Sequence, residues 1–335
     1  MDEQTVSHGS RRAQLSVVLS CLAAGIVLFA PSFVASAEDY PSKPIRVIVP
    51  YPPGAGADTT ARIVLERLQA KLGQPVIVEN RVGAAGNIGA EAVFKAAPDG
   101  YMLLFTAPGP LVTNKAVFAR LGYDPDAFVP VSVVSTSPSV LAAHVKTGIE
   151  SLQKLIGTAK ANPDKLNYAS GGIASTPHLA AELFKMMAGV RIVHIPFSGS
   201  GPALASLVAG QVDLAFIDLG SVLPHVRAGT LRALGVGTAT RLATLPDVPT
   251  ISEVLPGYLS VAWFGIVAPP KTPLTIANQL SATIAEVVKQ PEMVKRLLDR
   301  SAEPVGNTPE QMAEFMKEEK ERWGNVIRMT GAKVE

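Results

Sequence analysis

The stretch IRVIVPYPPGAGAD, residues 45–58, indicates which fold this chain adopts. Its first five residues, Ile45–Val49, are mostly β-branched and predict a buried strand, which the prolines and glycines after it end. Asp58 is a favourable N-cap, and an apolar stripe with helical spacing continues from it to Leu72. A strand, a loop of small residues and a helix in this order are typical of an α/β fold.

The same alternation of strands and helices continues along the chain. Strands predicted at 76–78 and 101–106 complete a βαβαβ unit, which implies a parallel sheet with right-handed crossovers. A β-rich stretch at 128–144 follows, and we expect Pro130 and Pro138 to break it.

A second alternation then begins at Ser151, which predicts a helix N-cap, and ends with a strand at 231–236. A strand at 261–268 and three helices complete the chain, and we expect these helices to pack on the first lobe. The pattern therefore predicts an α/β protein with two doubly wound lobes and a ligand cleft between them. We assign residues 38–138 and 261–335 to lobe I and residues 139–260 to lobe II.

Composition excludes several classes of protein. The 335 residues are 47% hydrophobic and 17% charged, which is enough apolar material for a large core. A formal net charge of +2 without a basic block argues against a nucleic-acid partner. The single cysteine rules out a disulfide framework, and the histidines after residue 40 lack metal-ligand spacing, so we expect no metal and no cofactor.

Residues 1–37 have the organisation of a secretory signal peptide. Arg11 and Arg12 supply the positive region, the apolar run Leu15–Phe29 follows, and Ala35-Ser36-Ala37 offers a cleavage site. The apolar run is shorter than the ~20 residues of a membrane span, so we expect export to the periplasm rather than anchoring. The sequence leaves open whether the Sec or the twin-arginine route is used.

Four glycine-rich loops follow strands and precede helices, at 54–56, 83–89, 170–172 and 199–201. A strand end followed by a helix N-terminus presents free backbone N–H groups and a positive dipole, which favour an anion. Four such loops in two lobes predict an anion-binding cleft. A Rossmann dinucleotide site is disfavoured because Thr59 stands where its third glycine belongs.

Enzymatic signatures are missing from the sequence. We find no Gly-x-Ser-x-Gly elbow, no phosphate-binding P-loop and no His-Glu-x-x-His motif. A binding protein is therefore favoured over an exported α/β enzyme such as a hydrolase, which would need a nucleophile–base pair.

The chain resembles the Bug receptors, the periplasmic solute-binding proteins of tripartite tricarboxylate transporters. The likeness covers nearly all of the chain after the signal, in order. It is carried by PSKPIRVIVPYPPGAGAD (41–58), GQPVIVENR (73–81), GAAGNIG (83–89), APDGY (97–101), LNYASGG (166–172), GQVD (210–213), LRAL (231–234), LPDVPT (245–250) and EPVG (303–306).

The resemblance implies a type II periplasmic binding protein fold, in which a carboxylate lies between the lobes. It implies a monomeric receptor that delivers the solute to transporter membrane subunits, although a periplasmic sensor for a signalling kinase would have the same fold. It also implies which residues contact the ligand: Tyr51, Pro53, Gly54, Ala55, Ala57, Gly86, Asn87, Ser170, Gly171, Ser175, Thr176 and Asp218.

Two of these residues have an alternative role. Thr176 is also a candidate helix cap with Pro177 after it, and Asp218 is a candidate N-cap of the helix that begins at Leu219.

Overall fold

The computed structural model describes Met1 and residues 40–331, so the predicted signal peptide lies outside the described part apart from its first residue. Within residues 40–331 no helix combines the length and the apolarity needed to cross a membrane.

The first part of the sheet is the predicted βαβαβ unit. Its strands lie in the order β2-β1-β3 and are parallel, as expected. The elements are β1 (Ile45–Val49), α1 (Gly56–Leu72), β2 (Val76–Asn80), α2 (Asn87–Phe94), β3 (Met102–Thr106) and the short helix α3 (Asn114–Val117).

The start of α1 differs from the prediction. The N-cap is Ala55 and the helix begins at Gly56, two residues before Asp58. Asp58 lies in the first turn instead, where its carboxylate accepts the backbone N–H of Gly54 at 2.9 Å. An acidic residue in the first turn complements the positive end of the helix dipole. Asp58 therefore stabilises the start of α1 without being its N-cap.

The long strand β4 (Val129–His144) joins the two parts of the sheet. Its first ten residues pair with β9 (Val261–Ala268), and from Ser139 onward it pairs with β7 (Leu214–Asp218). The expected breaks do not occur. At Pro130 a register shift absorbs the missing N–H, and Pro138 is the last residue paired with β9 before the partner changes.

The second part of the sheet again alternates strands and helices. Strands β5, β6 and β7 are parallel, while β7 and β8 are antiparallel to β4. The elements are α4 (Leu152–Ala161), β5 (Asn167–Ser170), α5 (Thr176–Ala188), β6 (Val193–Pro196), α6 (Ser200–Val208), β7 (Leu214–Asp218), α7 (Leu219–Arg227) and β8 (Leu231–Val236).

Three helices and a two-residue strand complete the described chain. They are α8 (Leu274–Val288), α9 (Pro291–Leu298), β10 (Glu303–Pro304) and α10 (Pro309–Thr330). Helices α8 and α9 pack with α1 over the first part of the sheet, as expected. Helix α10 is about 33 Å long at 1.5 Å per residue and also contacts α5, so it covers both parts of the sheet.

The chain's two tryptophans donate to the same carboxylate, which lies near the middle of α10. The indole N–H groups of Trp263 and Trp323 both donate to Glu319 Oε2, at 3.1 and 2.9 Å, and Arg322 pairs with Oε1. Glu319 is only 2% exposed. Burial of this carboxylate is tolerated because each of its oxygens has a partner.

Candidate functional site

The strand directions bring the predicted cleft loops face to face. Strand β9 is antiparallel to both β3 and β4, so β3 and β4 run the same way, while β7 runs against β4. The carboxyl ends of β1–β3 therefore point toward the second part of the sheet, and those of β5–β7 point back toward the first. Loops after both sets of strands border one space, as expected for a ligand cleft.

The registers give the width of this space along β4. Thr106, at the end of β3, is level with Gly265 and Val133, whereas Asp218, at the end of β7, is level with Ser139. Ser139 lies six positions after Val133, which is about 20 Å of extended chain at ~3.3 Å per residue. The loops that follow the strands extend from both sides into this space.

In the first part of the sheet the loops after β1, β2 and β3 contact one another. Gly86 is buried with φ of 89°, and a Cβ there would lie 2.8 Å from Pro110 Cγ and 3.4 Å from Pro50 Cγ. Glycine is thus required by both the backbone angle and the space. The structure brings Gly86 and Asn87 beside the end of β1, where Tyr51 to Ala57 begin.

The Tyr51–Ala57 loop is fixed by a buried charge. Asp58 accepts from Gly54 N, from Arg62 Nε at 3.0 Å and from Asn80 Nδ2 at 2.8 Å. Although burial alone favours the neutral acid, these hydrogen bonds lower the pKa of Asp58, so the carboxylate is ionised and paired with Arg62. The Gly54 N–H is consequently occupied within the protein.

Tyr51 has its hydroxyl turned toward β3. The hydroxyl lies 3.2 Å from Thr106 Oγ1, which in turn lies 3.1 Å from the Ala107 carbonyl. Burial raises the pKa of Tyr51, and the bond to Thr106 opposes this in part. The side chain is therefore a neutral wall of the loop. Pro53, Ala55 and Ala57 offer only backbone groups to a ligand, and of these Ala57 is the most buried.

In the second part of the sheet the loops after β5 and β6 are in contact. A Cβ at Gly171 would lie 3.1 Å from both the backbone nitrogen and the Oγ of Ser200, and one at Gly172 would lie 3.3 Å from the Phe197 carbonyl. The N-termini of α5 and α6 are thereby brought together. Their first N–H groups have no acceptor within the helix, which makes this a favourable place for an anion.

The Ser170 hydroxyl is hydrogen-bonded to the ring of His194. Ser170 is fully buried, and its Oγ lies 2.6 Å from His194 Nε2 and about equally far, 3.1 and 3.2 Å, from the carbonyl and the N–H of Gly172. The His194 ring is stacked between Tyr168 and His178, with centroids 4.8 and 4.3 Å away. The hydroxyl therefore has partners within the loop, so its contact with a ligand stays a prediction.

The Ser170–His194 pair has the spacing of a nucleophile and its base, but its surroundings do not suit that chemistry. Burial, reinforced by His178, lowers the pKa of His194 to about 4, so it is a weak base at neutral pH. Among the described residues no carboxylate is hydrogen-bonded to its ring, since Glu182 is bonded to Tyr168 and Lys185. The arrangement suits a rigid support for the loop.

The cap of α5 differs from the alternative proposed for Thr176. Ser175 is the N-cap and its Oγ accepts the His178 N–H at 3.4 Å, so Thr176 is the first helical residue. Ser175 Oγ also donates to the Gly172 carbonyl at 2.7 Å. The cap belongs to Ser175 because its backbone is extended, as an N-cap requires. Thr176 therefore does not cap the helix, and it is partly exposed.

Asp218 is the N-cap of α7. Its Oδ1 accepts the Ser221 N–H at 3.0 Å, as the alternative reading of the sequence expected. Gly220, in the first turn of α7, packs closely against the backbone at Arg300. A Cβ on Gly220 would lie 2.4 Å from the Arg300 carbonyl oxygen. Whether Asp218 also contacts the ligand stays a prediction.

Two groups of residues beside the candidate site were not found from the sequence. One is the stacked cluster of Tyr168, His178, Glu182, Lys185 and His194. The other is the pair Asn114 and Tyr123, which hydrogen-bond to the Asn87 side chain. The only signal in the sequence was the presence of polar residues inside otherwise apolar patterns. Within the described residues no three His, Cys, Asp or Glu side chains are placed to hold a metal ion.

Comparison with known proteins gives consistent matches. The family described as "Tripartite tricarboxylate transporter family receptor" matches residues 60–332. Protein BugT of Bordetella pertussis is 39% identical over 302 residues, which cover 89% of this chain and 93% of BugT.

Solved structures agree with these matches. A Rhodopseudomonas palustris protein with adipate has a TM-score of 0.81 and 36% identity, covering 88% of this chain and all of that one. MatC from the same species, with bound malate, has a TM-score of 0.77 and 34% identity, covering 86% of this chain and all of MatC.

Proposed function

Because the chain belongs to the tripartite tricarboxylate transporter receptor family, we propose that it captures a small carboxylate in the periplasm and delivers it to the membrane subunits of such a transporter. The adipate and malate held by the two solved relatives make a dicarboxylate the first ligand to test.

One observation carries this proposal: the loops and helix N-termini that follow both sets of strands border one space beside β4, and these loops contain no lysine or arginine. The loops Tyr51–Ala57, Gly83–Gly89, Ser170–Thr176 and Pro196–Gly201 are made of small, polar and apolar residues only. A carboxylate would be met by backbone N–H groups, hydroxyls and the Asn87 amide, and each helix N-terminus favours it by ~0.3–2 kcal/mol.

We propose that the twelve residues named in the sequence analysis contact the ligand, and that they do so in different ways. Gly54, Gly86 and Gly171 allow the backbone to approach, Asn87 and Thr176 supply side-chain donors, and the remaining residues shape the two loops. Asp218 would repel a ligand carboxylate if it faced the cleft ionised. Its cap bond uses one oxygen, so the other is available for a ligand hydroxyl or ammonium group.

Thermal unfolding of the purified protein with adipate, malate, citrate, glutamate and benzoate tests the proposal. A ligand at 100 times its Kd adds about 2.7 kcal/mol to the free energy of unfolding. We expect at least one carboxylate to stabilise the protein and its uncharged amide to have no effect. Equal stabilisation by acid and amide would contradict a carboxylate site.

We further propose that the protein does no chemistry on its ligand. The Ser170–His194 pair, within residues 40–331, resembles a nucleophile with its base and so favours an exported hydrolase, but the low pKa of His194 makes it a poor base. Recovery of the bound carboxylate unchanged, by NMR of the released ligand, is the expected result. Recovery of a modified product would favour the enzyme.

Capture between two lobes implies that they close on the ligand. We place the hinge where β4 changes partner, near 135–140, and in the returning segment near 259–261. We expect a monomer whose radius of gyration in small-angle scattering decreases when the tightest carboxylate is added. An unchanged radius at saturation would indicate a rigid cleft.

A further inference from the structure

We propose that Asn114 and Tyr123 are positioning residues, which hold the Asn87 side chain with its Nδ2 group directed at the ligand carboxylate. This inference rests on the function proposed above. It adds two residues that lie outside the cleft loops and contact the ligand only through Asn87.

The orientation of Asn114 follows from a backbone carbonyl. Its Nδ2 lies 3.2 Å from the Ala85 carbonyl oxygen, which can only accept a hydrogen bond. The amide end of Asn114 must therefore face this side. The same Nδ2 lies 2.6 Å from Asn87 Oδ1, so its second hydrogen is donated there.

Asn87 is then fixed in turn. If its amide were rotated by half a turn, two NH₂ groups would face each other at the 2.6 Å that now separates Asn114 Nδ2 from Asn87 Oδ1. The Tyr123 hydroxyl stabilises the same orientation, because it donates to Asn87 Oδ1 at 2.7 Å. The Pro110 carbonyl, the other acceptor near this hydroxyl, is farther away at 3.0 Å. Both Asn87 acceptor positions are thus filled from within the protein.

The Asn87 Nδ2 group is left over. It has no hydrogen-bond partner among residues 40–331, although Asn87 is only 9% exposed. Asn87 Nδ2 is not among the fully buried side-chain atoms without a partner, so solvent reaches it and its two hydrogens are open to an acceptor that enters the cleft. A carboxylate oxygen can accept one of these N–H hydrogens. Asn87 also begins α2, whose dipole favours an anion.

The support is rigid because its members come from three separate segments. Asn114 is 1% exposed at the start of α3, Tyr123 is 6% exposed in the loop after it, and Gly86 precedes Asn87 in a left-handed conformation. Rotation of the Asn87 amide would break two buried hydrogen bonds at once. The donor is consequently oriented before the ligand arrives, which lowers the entropic cost of binding.

A double-mutant cycle tests this role. Calorimetry would measure the Kd of adipate and malate, or of whichever carboxylate in the panel above binds tightest, for wild type, Tyr123→Phe, Asn87→Ala and the double variant. We expect Tyr123→Phe to weaken binding about 5- to 30-fold in the wild-type background. In the Asn87→Ala background the same change should have no further effect, because Tyr123 acts only through Asn87.

Tyr258→Phe is the matched control. Tyr258 is also buried, and its hydroxyl donates to the Ala180 carbonyl on α5 at 2.9 Å, so Tyr258→Phe should leave Kd unchanged. Equal affinity of Tyr123→Phe and wild type, or an equal loss in both backgrounds, would overturn the inference while leaving the receptor function intact. Failure of wild type to bind any carboxylate would overturn the proposed function itself.

Discussion

Acid should destabilise this protein through His194. The ring is stacked between His178 and Tyr168 and contacts Ser170, and burial, followed by the proximity of His178, lowers its pKa from 6.5 to about 4. Glu182 and Lys185 act on it in opposite directions and partly cancel. The folded protein therefore keeps the ring neutral, while the unfolded chain takes up a proton below pH 6.5.

The sign follows from proton binding. Where the unfolded chain binds more protons, stability decreases as the pH falls, so the contribution of His194 is complete above pH 6.5 and is lost toward pH 4. At 1.36 kcal/mol per pH unit the full loss is about 3.4 kcal/mol. The ring is still partly exposed, and solvent screening reduces this to about 1–2 kcal/mol.

Urea unfolding followed by tryptophan fluorescence, at several pH values between 7 and 4, measures this loss. His194→Gln removes the titrating ring and keeps a polar atom near Ser170, so its stability should fall less steeply with acid than that of wild type. His225→Gln, on α7 and outside the stacked cluster, should behave as wild type. Parallel curves for wild type and His194→Gln would refute the reasoning.

Three further changes have defined outcomes. Glu319→Ala leaves both indole N–H groups without their acceptor and should cost about 2–6 kcal/mol in urea unfolding, whereas Glu319→Gln, which keeps an acceptor oxygen, should cost clearly less. Asp218→Ala should cost about 1 kcal/mol through loss of the α7 cap and Asp218→Asn almost nothing. If Asp218 also contacts the ligand, Asp218→Asn will change the Kd measured by calorimetry. Gly220→Ala should cost about 1–3 kcal/mol in thermal unfolding, because the added methyl overlaps the Arg300 carbonyl, and an unchanged midpoint would contradict that contact.

Local signals account for the part of the fold that was predicted from the sequence. Ser151 caps α4, as predicted, because a cap depends on residues only three positions apart. The strands at 231–236 and 261–268 match the predicted ranges, since runs of β-branched and apolar residues between turns are local features too.

Errors occurred where neighbouring residues had similar chemistry or where the partner was distant. Ser175 and Thr176 are both capping residues, and only the backbone angles distinguish them. Pro138 looked like a strand break because the sequence does not show that the pairing partner of β4 changes there. The contacts of Asn87 with Asn114 and Tyr123 join residues 27 and 36 positions apart, which no local pattern reveals.

The position of β9 has a consequence for how the chain folds. This strand lies between β3 and β4 in the sheet, yet it comes from residues 261–268. Until that segment has emerged, β3 and β4 each have an open edge toward the missing strand, and such edges invite pairing with other chains. The continuous segment from β4 to β8 can assemble earlier. Folding of the first part of the sheet is therefore a late, long-range event, during which these edges are open to aggregation.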